Sequence, residues 1–167
     1  MNTKKMVAMS AITMMGTISL SGMVHADEVG TGKAQVTYNV NTITPDDPTA
    51  NPDFTVLIPS VYQLTDINAK TPAAGEVSIK DAQDLSKDYA GDQTVNVSVT
   101  STKNFTFDNG GAYKLVASDN TTPVPATIPL SKTTPKSIVN ALLTKTGTKT
   151  ASADTLNFQY TVAPVAP

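Results

Sequence analysis

The segment VNVSVT, residues 95–100, has the most regular alternation in the chain and decides the fold class. Its three valines alternate with asparagine, serine and threonine, which is the pattern of a strand with one buried face and one solvent-exposed face. Six further runs repeat this alternation on either side of it. They are residues 34–40, 54–58, 77–79, 105–107, 113–117 and 156–162.

Strands with one polar face predict antiparallel sheets that pack on a shared core. We therefore expect an all-β fold, an antiparallel β-sandwich of about seven to eight strands with an Ig-like or jelly-roll-like arrangement. Asp108-Asn109-Gly110-Gly111 tolerates positive φ and predicts a hairpin turn. The proline-rich segments 45–52 and 121–129 cannot be central strands, because proline has no N–H to donate to a neighbouring strand.

One segment departs from the alternation. Ile138, Val139, Leu142 and Leu143 have helical spacing, and Thr134-Pro135 supplies a start signal. This pattern predicts one short helix over residues 135–145. The acidic segment 81–92 is interpreted as a loop.

The first 26 residues are typical of a secretory signal peptide. Lys4 and Lys5 precede an apolar stretch that ends at Val24-His25-Ala26. We expect cleavage between Ala26 and Asp27, which leaves residues 27–167 as a single domain in the secreted protein. No transmembrane anchor is expected in that remainder.

The composition excludes most catalytic chemistry. The chain has no Cys and no Trp, its single histidine is His25, and all twelve basic residues are lysine. After signal cleavage neither His nor Cys remains to activate a nucleophile, so we expect no enzyme and no cofactor. A glycosidase that uses two carboxylates is the last alternative. A net charge of −2 and the absence of Arg argue against nucleic acid as a partner.

Two kinds of site, one metal and one covalent, have candidate residues. Asp46-Asp47 and Asp108-Asn109-Gly110 offer oxygen ligands for calcium, but they lack the spacing of an EF-hand loop, and solvated turns explain them better. We therefore expect no metal site. Lys33 opens the first predicted strand, Asn157 lies in the last one, and the two are candidates for an internal isopeptide bond. The alternation places Asn157 on the outward face, which argues against that bond.

The chain also resembles a family of bacterial surface proteins. The matching stretches are GTGKAQVTYNV (30–40), DFTVLIPSVYQLTD (53–66), TVNVSVTSTKNFTF (94–107) and TLNFQYTV (155–162). They are similar to the WxL-type proteins of Gram-positive lactic acid bacteria and enterococci, and this resemblance implies noncovalent attachment to the cell wall. The Trp-x-Leu motifs are absent, and Leu156-Asn157-Phe158 stands at the comparable strand. The chain is therefore WxL-like.

These observations favour a non-catalytic interaction module that is secreted, and is either extracellular or held noncovalently at the cell wall. Its partner would be a cell-wall polymer, a host surface or another surface protein, contacted through strand faces rich in Thr, Ser and Asn. One alternative is a secreted antimicrobial, bacteriocin-like effector. Another is a subunit of a fibre or surface complex that assembles by strand addition.

The exported protein should have the mass of residues 27–167, since cleavage is expected after Ala26. Intact-mass spectrometry of the secreted material tests this expectation. A mass lower by one ammonia would support the bond between Lys33 and Asn157, and an unmodified mass would exclude it.

Overall fold

The structure is a computed structural model that describes residues 42–43 and 52–163. The expected signal peptide, the predicted strand at 34–40 and most of the segment 45–52 lie outside the described residues. Nine elements are present in the described part. They are β1 (Phe54–Leu57), a 3-10 helix (Asp66–Ala69), β2 (Glu76–Asp81), β3 (Val95–Ser101), β4 (Ala112–Val116), β5 (Ile128–Leu130), β6 (Lys136–Ile138), β7 (Asn140–Lys145) and β8 (Leu156–Val162).

These strands form three small antiparallel sheets within the described residues, with strand orders β1-β2-β6, β5-β3-β8 and β4-β7. Residues 42–43 extend the first sheet, because Thr42 bridges Leu57 and the Ile43 N–H donates to the Val56 carbonyl at 3.0 Å. The fold is therefore all-β. No helix in the part of the chain that the structure describes has the length and apolarity needed to cross a membrane.

The central strand β3 pairs along its whole length with β8. Val95 and Val97 have no exposed surface, whereas Thr100 on the opposite face is exposed. On β8, side chains that pack against the core alternate with exposed polar side chains, as the sequence predicts. The core-facing residues of β8 are Leu156, Phe158 and Tyr160.

One hydrophobic cluster contains side chains from all three sheets. Its aromatic centre is Phe54 on β1, whose ring lies 5.8 Å from the Tyr89 ring and 5.4 Å from the Tyr160 ring, both edge to face. This geometry is favourable for aromatic pairs, and it connects the first sheet to β8. The fully buried aliphatic side chains are Val56, Val77, Ile79, Val95, Val97, Val116, Ile128, Leu130 and Val139.

The segment 135–145 is extended, so the predicted helix is wrong. Its residues form β6 and β7, and β7 is paired on both sides. One side pairs with β4, and on the other Ala141 and Ala73 exchange two backbone hydrogen bonds of 2.8 Å. Leu143 is buried and Leu142 is half-buried, so both faces of β7 carry apolar residues. Periodicity cannot distinguish such a short apolar run from a helix, and pairing with neighbouring strands decides its conformation.

Residues 105–107 do not form the predicted strand. Phe105 has a φ of 60°, a left-handed conformation that a strand residue does not adopt. The Ser101 hydroxyl accepts the Phe105 N–H at 2.6 Å and stabilises this turn. The Phe105 and Phe107 rings instead pack on Tyr113, with centroids 5.5 and 5.1 Å away. Phe105 and Phe107 alternate with a polar residue because both rings are partly buried on the same side of a turn, although these residues form no strand.

The turn predicted at 108–111 is present. The Gly110 N–H donates to the Phe107 carbonyl, and the Phe107 N–H donates to the Gly111 carbonyl, both at 2.9 Å. Gly110 has a φ of +84°, which a residue with a Cβ rarely adopts. An isolated bridge between Thr106 and Ala112 closes the turn.

The sequence excludes the proline-rich segment 121–129 from a central strand and assigns the acidic segment to a loop, and the structure agrees with both. Pro129 lies in β5, which is an edge strand of its sheet, so its missing N–H costs no pairing. Residues 82–92 form a loop. The Asp81 carboxylate accepts the backbone N–H groups of Gln83 and Asp84, which explains why an acidic residue begins this loop.

Buried side chains of β3 should contribute more to the stability of the domain than exposed side chains of the same sheet. Val97→Ala removes two methyl groups from a side chain with no exposed surface, and we expect the free energy of unfolding to fall by about 2 kcal/mol. The matched control is Val162→Ala on the paired strand, where 43% of the residue is exposed and the loss should stay below about 1 kcal/mol. Urea unfolding measures both, and equal losses would contradict the assignment of the core.

Candidate functional site

The outward side of the β3–β8 pair presents six polar side chains in cross-strand register. We call these six residues the polar face. The backbone pairing places them opposite one another in three pairs, so the two members of each pair share one side of the sheet. The pairs are Asn96–Thr161, Ser98–Gln159 and Thr100–Asn157.

Each of these six side chains carries both a hydrogen-bond donor and an acceptor, and none is ionisable at ordinary pH. Thr100 and the three residues on β8 are exposed, while Asn96 and Ser98 are half-buried. From Asn96 to Thr100 the strand rises about 13 Å. Pro129 pairs with Asn96 on the third strand and is also exposed. The polar face is therefore a short, uncharged surface that can exchange hydrogen bonds with a partner.

The residues singled out from the sequence lie in different parts of the chain. Asn157 is exposed at one end of the polar face, in agreement with the alternation. Lys33, Ala26 and Asp27 lie outside the described residues. Both signal cleavage and the isopeptide bond between Lys33 and Asn157 therefore stay predictions.

A cluster of hydrogen bonds connects the strands at the end of the sheet where Asn157 lies. The Asp154 carboxylate, just before β8, accepts the hydroxyls of Ser101 at 2.5 Å, Tyr113 at 2.7 Å and Thr102 at 2.8 Å. It also accepts the backbone N–H groups of Lys103 at 3.1 Å and Thr155 at 2.7 Å. Asp154 thus ties the start of β8 to the end of β3 and to β4.

The surroundings of Asp154 change the acidity of the cluster. Partial burial on its own raises the pKa of the Asp154 carboxyl, but the hydrogen bonds from Ser101, Tyr113 and Thr102 outweigh it. The net pKa is below the ordinary value of 3.8. Burial is the main cause that raises the pKa of the Tyr113 phenol, and the hydrogen bond to the Asp154 carboxylate adds to it. Tyr113 therefore stays a neutral donor, and Asp154 stays a charged acceptor.

The side-chain oxygens of Asp108 and Asn109, which are candidate calcium ligands, bind groups of the protein itself. The Asp108 carboxylate forms an ion pair with the Lys103 ammonium group. The Asn109 side-chain oxygen accepts the Gly111 N–H at 3.0 Å. In the described residues no group of three or more acidic, His or Cys side chains converges to hold a metal ion.

Sequence reasoning missed the Asp154 cluster. Its members come from β3, β4 and the segment before β8, and more than 40 residues separate Asp154 from its nearest partner hydroxyl along the chain. The sequence offered one weak signal, a lone acidic residue directly before an alternating strand. No local spacing links that residue to Ser101 or Tyr113.

Comparison with protein-family models, with curated proteins and with solved structures gives no match to this chain.

The Asp154 cluster should stabilise the domain in a pH-dependent way. Asp154→Asn replaces one acceptor oxygen with an amide donor, so at least one hydroxyl loses its acceptor, and we expect the free energy of unfolding at pH 7 to fall by about 1–3 kcal/mol. Because the folded state lowers the pKa of Asp154, its stabilisation is present above the ordinary value of 3.8 and is lost as the pH falls through the folded-state pKa.

Urea unfolding at pH 7 and below pH 3.8 measures this effect, and the difference between the unaltered protein and Asp154→Asn should shrink at the lower pH. Asp66→Asn on the exposed 3-10 helix is the control for loss of one negative charge, and it should change stability by less than about 0.5 kcal/mol. A difference that is the same at both pH values would show that Asp154 does not act through its charge.

Proposed function

We propose that this protein is a non-catalytic interaction module that is exported and works at the cell surface or in the extracellular medium. In this proposal the polar face contacts the partner. The observation that carries it is the in-register array of three uncharged pairs on β3 and β8. Such an array offers hydrogen bonds at fixed positions on a rigid sheet, which is suited to recognition and not to bond cleavage.

The use of ionisable groups supports a non-catalytic role. Asp154 and Tyr113 have altered pKa values, a property common at active sites, but they hydrogen-bond each other and the neighbouring Ser101. Their hydrogen bonds connect strands and leave Asp154 saturated with donors. A general acid or base needs a free proton-transfer position toward a substrate. The cluster is better explained as a set of structural hydrogen bonds that connects the strands.

We also propose that the sheets pack as a two-layer β-sandwich with the polar face on its outside. The contact between Phe54 on β1 and Tyr160 on β8 supports this arrangement, since it joins two sheets through their inner sides. Valines on the inner side of β3 belong to the same hydrophobic cluster. A sandwich leaves the outer side of each sheet accessible to a partner.

The charges argue for an uncharged partner surface over a polyanion. Five lysines in the described residues are paired with carboxylates on the protein itself, and none of the six residues of the polar face is basic. The paired lysines are Lys80, Lys87, Lys103, Lys132 and Lys136. A wall-associated or adhesion-type role fits this surface, in line with the WxL-like resemblance of the sequence.

Removal of the hydrogen-bonding groups should weaken binding. The test variant combines Thr100→Ala, Asn157→Ala and Gln159→Ala, all exposed on the polar face. At about 0.5–1.5 kcal/mol for each hydrogen bond, we expect retention on isolated Gram-positive cell walls to fall by tenfold or more. A pull-down with purified protein measures retention.

The control variant combines Thr71→Ala, Gln83→Ala and Thr144→Ala, which are exposed and lie outside the β5-β3-β8 sheet. It should bind walls as the unaltered protein does. Equal losses of wall retention in the two variants would contradict a role of the polar face in binding. Recovery of the protein only from the culture medium, with no retention on walls, would contradict a wall-associated role and favour a released effector.

A further inference from the structure

The turn at Asn109-Gly110 has a chemical property that the interaction role does not use. In this chain, Asn109 is the asparagine that is followed by glycine. A glycine has no Cβ to obstruct its own backbone nitrogen, so that nitrogen can reach the preceding side chain. The side chain of Asn109 is also the one that holds the neighbouring segment, residues 147–150, in place.

Asn109 binds this segment through the Nδ2 end of its amide and through its backbone carbonyl, while the Oδ1 end binds within the turn. Its Nδ2 group donates to the Thr148 carbonyl at 3.1 Å and to the Thr150 carbonyl at 2.9 Å. Its backbone carbonyl accepts the Thr148 N–H at 2.9 Å. Its Oδ1 accepts the Gly111 N–H at 3.0 Å. The amide therefore has no freedom to turn toward Gly110 while the segment stays docked.

We propose that Asn109 is a site of spontaneous deamidation, and that the docking of residues 147–150 gates the reaction. The Gly110 nitrogen attacks the Asn109 Cγ, the bond from Cγ to Nδ2 breaks, and Nδ2 leaves as ammonia with the proton lost from the Gly110 nitrogen. Water then opens the resulting succinimide at either carbonyl and yields aspartate or isoaspartate. Water is the single co-reactant, and no oxidant or reductant takes part.

The folded structure holds each reacting group in an unproductive position. The nucleophile is occupied, because the Gly110 N–H donates to the Phe107 carbonyl at 2.9 Å. The leaving nitrogen donates to two carbonyls of the docked segment. Ring closure requires that all of these hydrogen bonds open together. The rate should therefore follow the population of molecules in which the segment has left the turn.

The product would not allow the segment to return. A carboxylate at position 109 has no N–H for the Thr148 and Thr150 carbonyls and places its own oxygens against them. It also adds a negative charge next to Asp108. Each conversion should therefore leave the segment undocked, which exposes the backbone at Lys149 to proteases.

Gly147 provides a way to test the gate without changing the reacting residues. A Cβ at this position would lie 2.3 Å from the Asn109 Oδ1 and 2.8 Å from the Asn109 carbonyl oxygen. Gly147→Ala should therefore push the segment and the Asn109 amide apart, while the two reacting residues keep their chemical identity.

The experiment compares deamidation in the full chain, folded in buffer, folded as Gly147→Ala, and unfolded in urea, at one pH and temperature. Trypsin cleavage after Lys103 and Lys114 releases residues 104–114, and mass spectrometry measures their conversion. We expect the folded, unaltered protein to convert at least about tenfold more slowly than the unfolded chain, with Gly147→Ala in between. Asn104, which precedes Phe105 in the same peptide, is the internal control and should not convert.

A second measurement tests the consequence for the segment. Brief trypsin treatment of folded Asn109→Asp should cleave after Lys149 several times faster than in the unaltered protein, and Asn157→Asp, which adds the same charge on exposed β8, should not. Equal conversion in folded and unfolded chains would overturn the gate. Absence of conversion at Asn109 in the unfolded chain would overturn the site itself.

Discussion

The pairing of β3 with β8 is the constraint on which the rest of the described structure depends. Seven residues of each strand are in register, and β3 also pairs with β5 on its other edge. A slip of one residue would turn Val95 and Val97 to solvent and bring Asn96 and Ser98 into the core. The same register that fills the core therefore also produces the uncharged polar face, so stability and surface chemistry share one cause.

The hydrogen bonds of two polar side chains stabilise the end of this strand pair, in a chain that has no cysteine to form a disulfide. The Asp154 carboxylate accepts hydroxyl donors from β3 and β4, and the Asn109 side chain holds residues 147–150 against the turn. Each of these two sets of hydrogen bonds depends on a single side chain that binds several partners. Each can therefore be released by a single chemical change: protonation of Asp154 or deamidation of Asn109.

The ionisable groups described above take part in contacts within the protein, whereas the polar face carries no charge, and the proposed interaction role rests on this difference. Asp81 forms a turn, Asp108 forms an ion pair, and the Tyr113 phenol connects strands through its hydrogen bond to Asp154. What remains on the outside of β3 and β8 is a set of neutral donors and acceptors at fixed spacing. An interaction module needs this kind of rigid and chemically inert surface, because its specificity depends on the position of hydrogen bonds.

The sequence by itself determined the all-β class, because alternation on β3 and β8 follows directly from a sheet with one buried side. It also determined the turn at 108–111 and excluded Pro129 from a central strand, where the backbone preferences of Gly and Pro act locally. Tertiary structure decided what local pattern could not. Leu142 and Leu143 have helical spacing, yet they lie in a strand that carries apolar residues on both faces and is paired on both edges. Asp154 and its partner hydroxyls meet only because the register of β3 with β8 brings distant segments together, and no spacing along the chain encodes that contact.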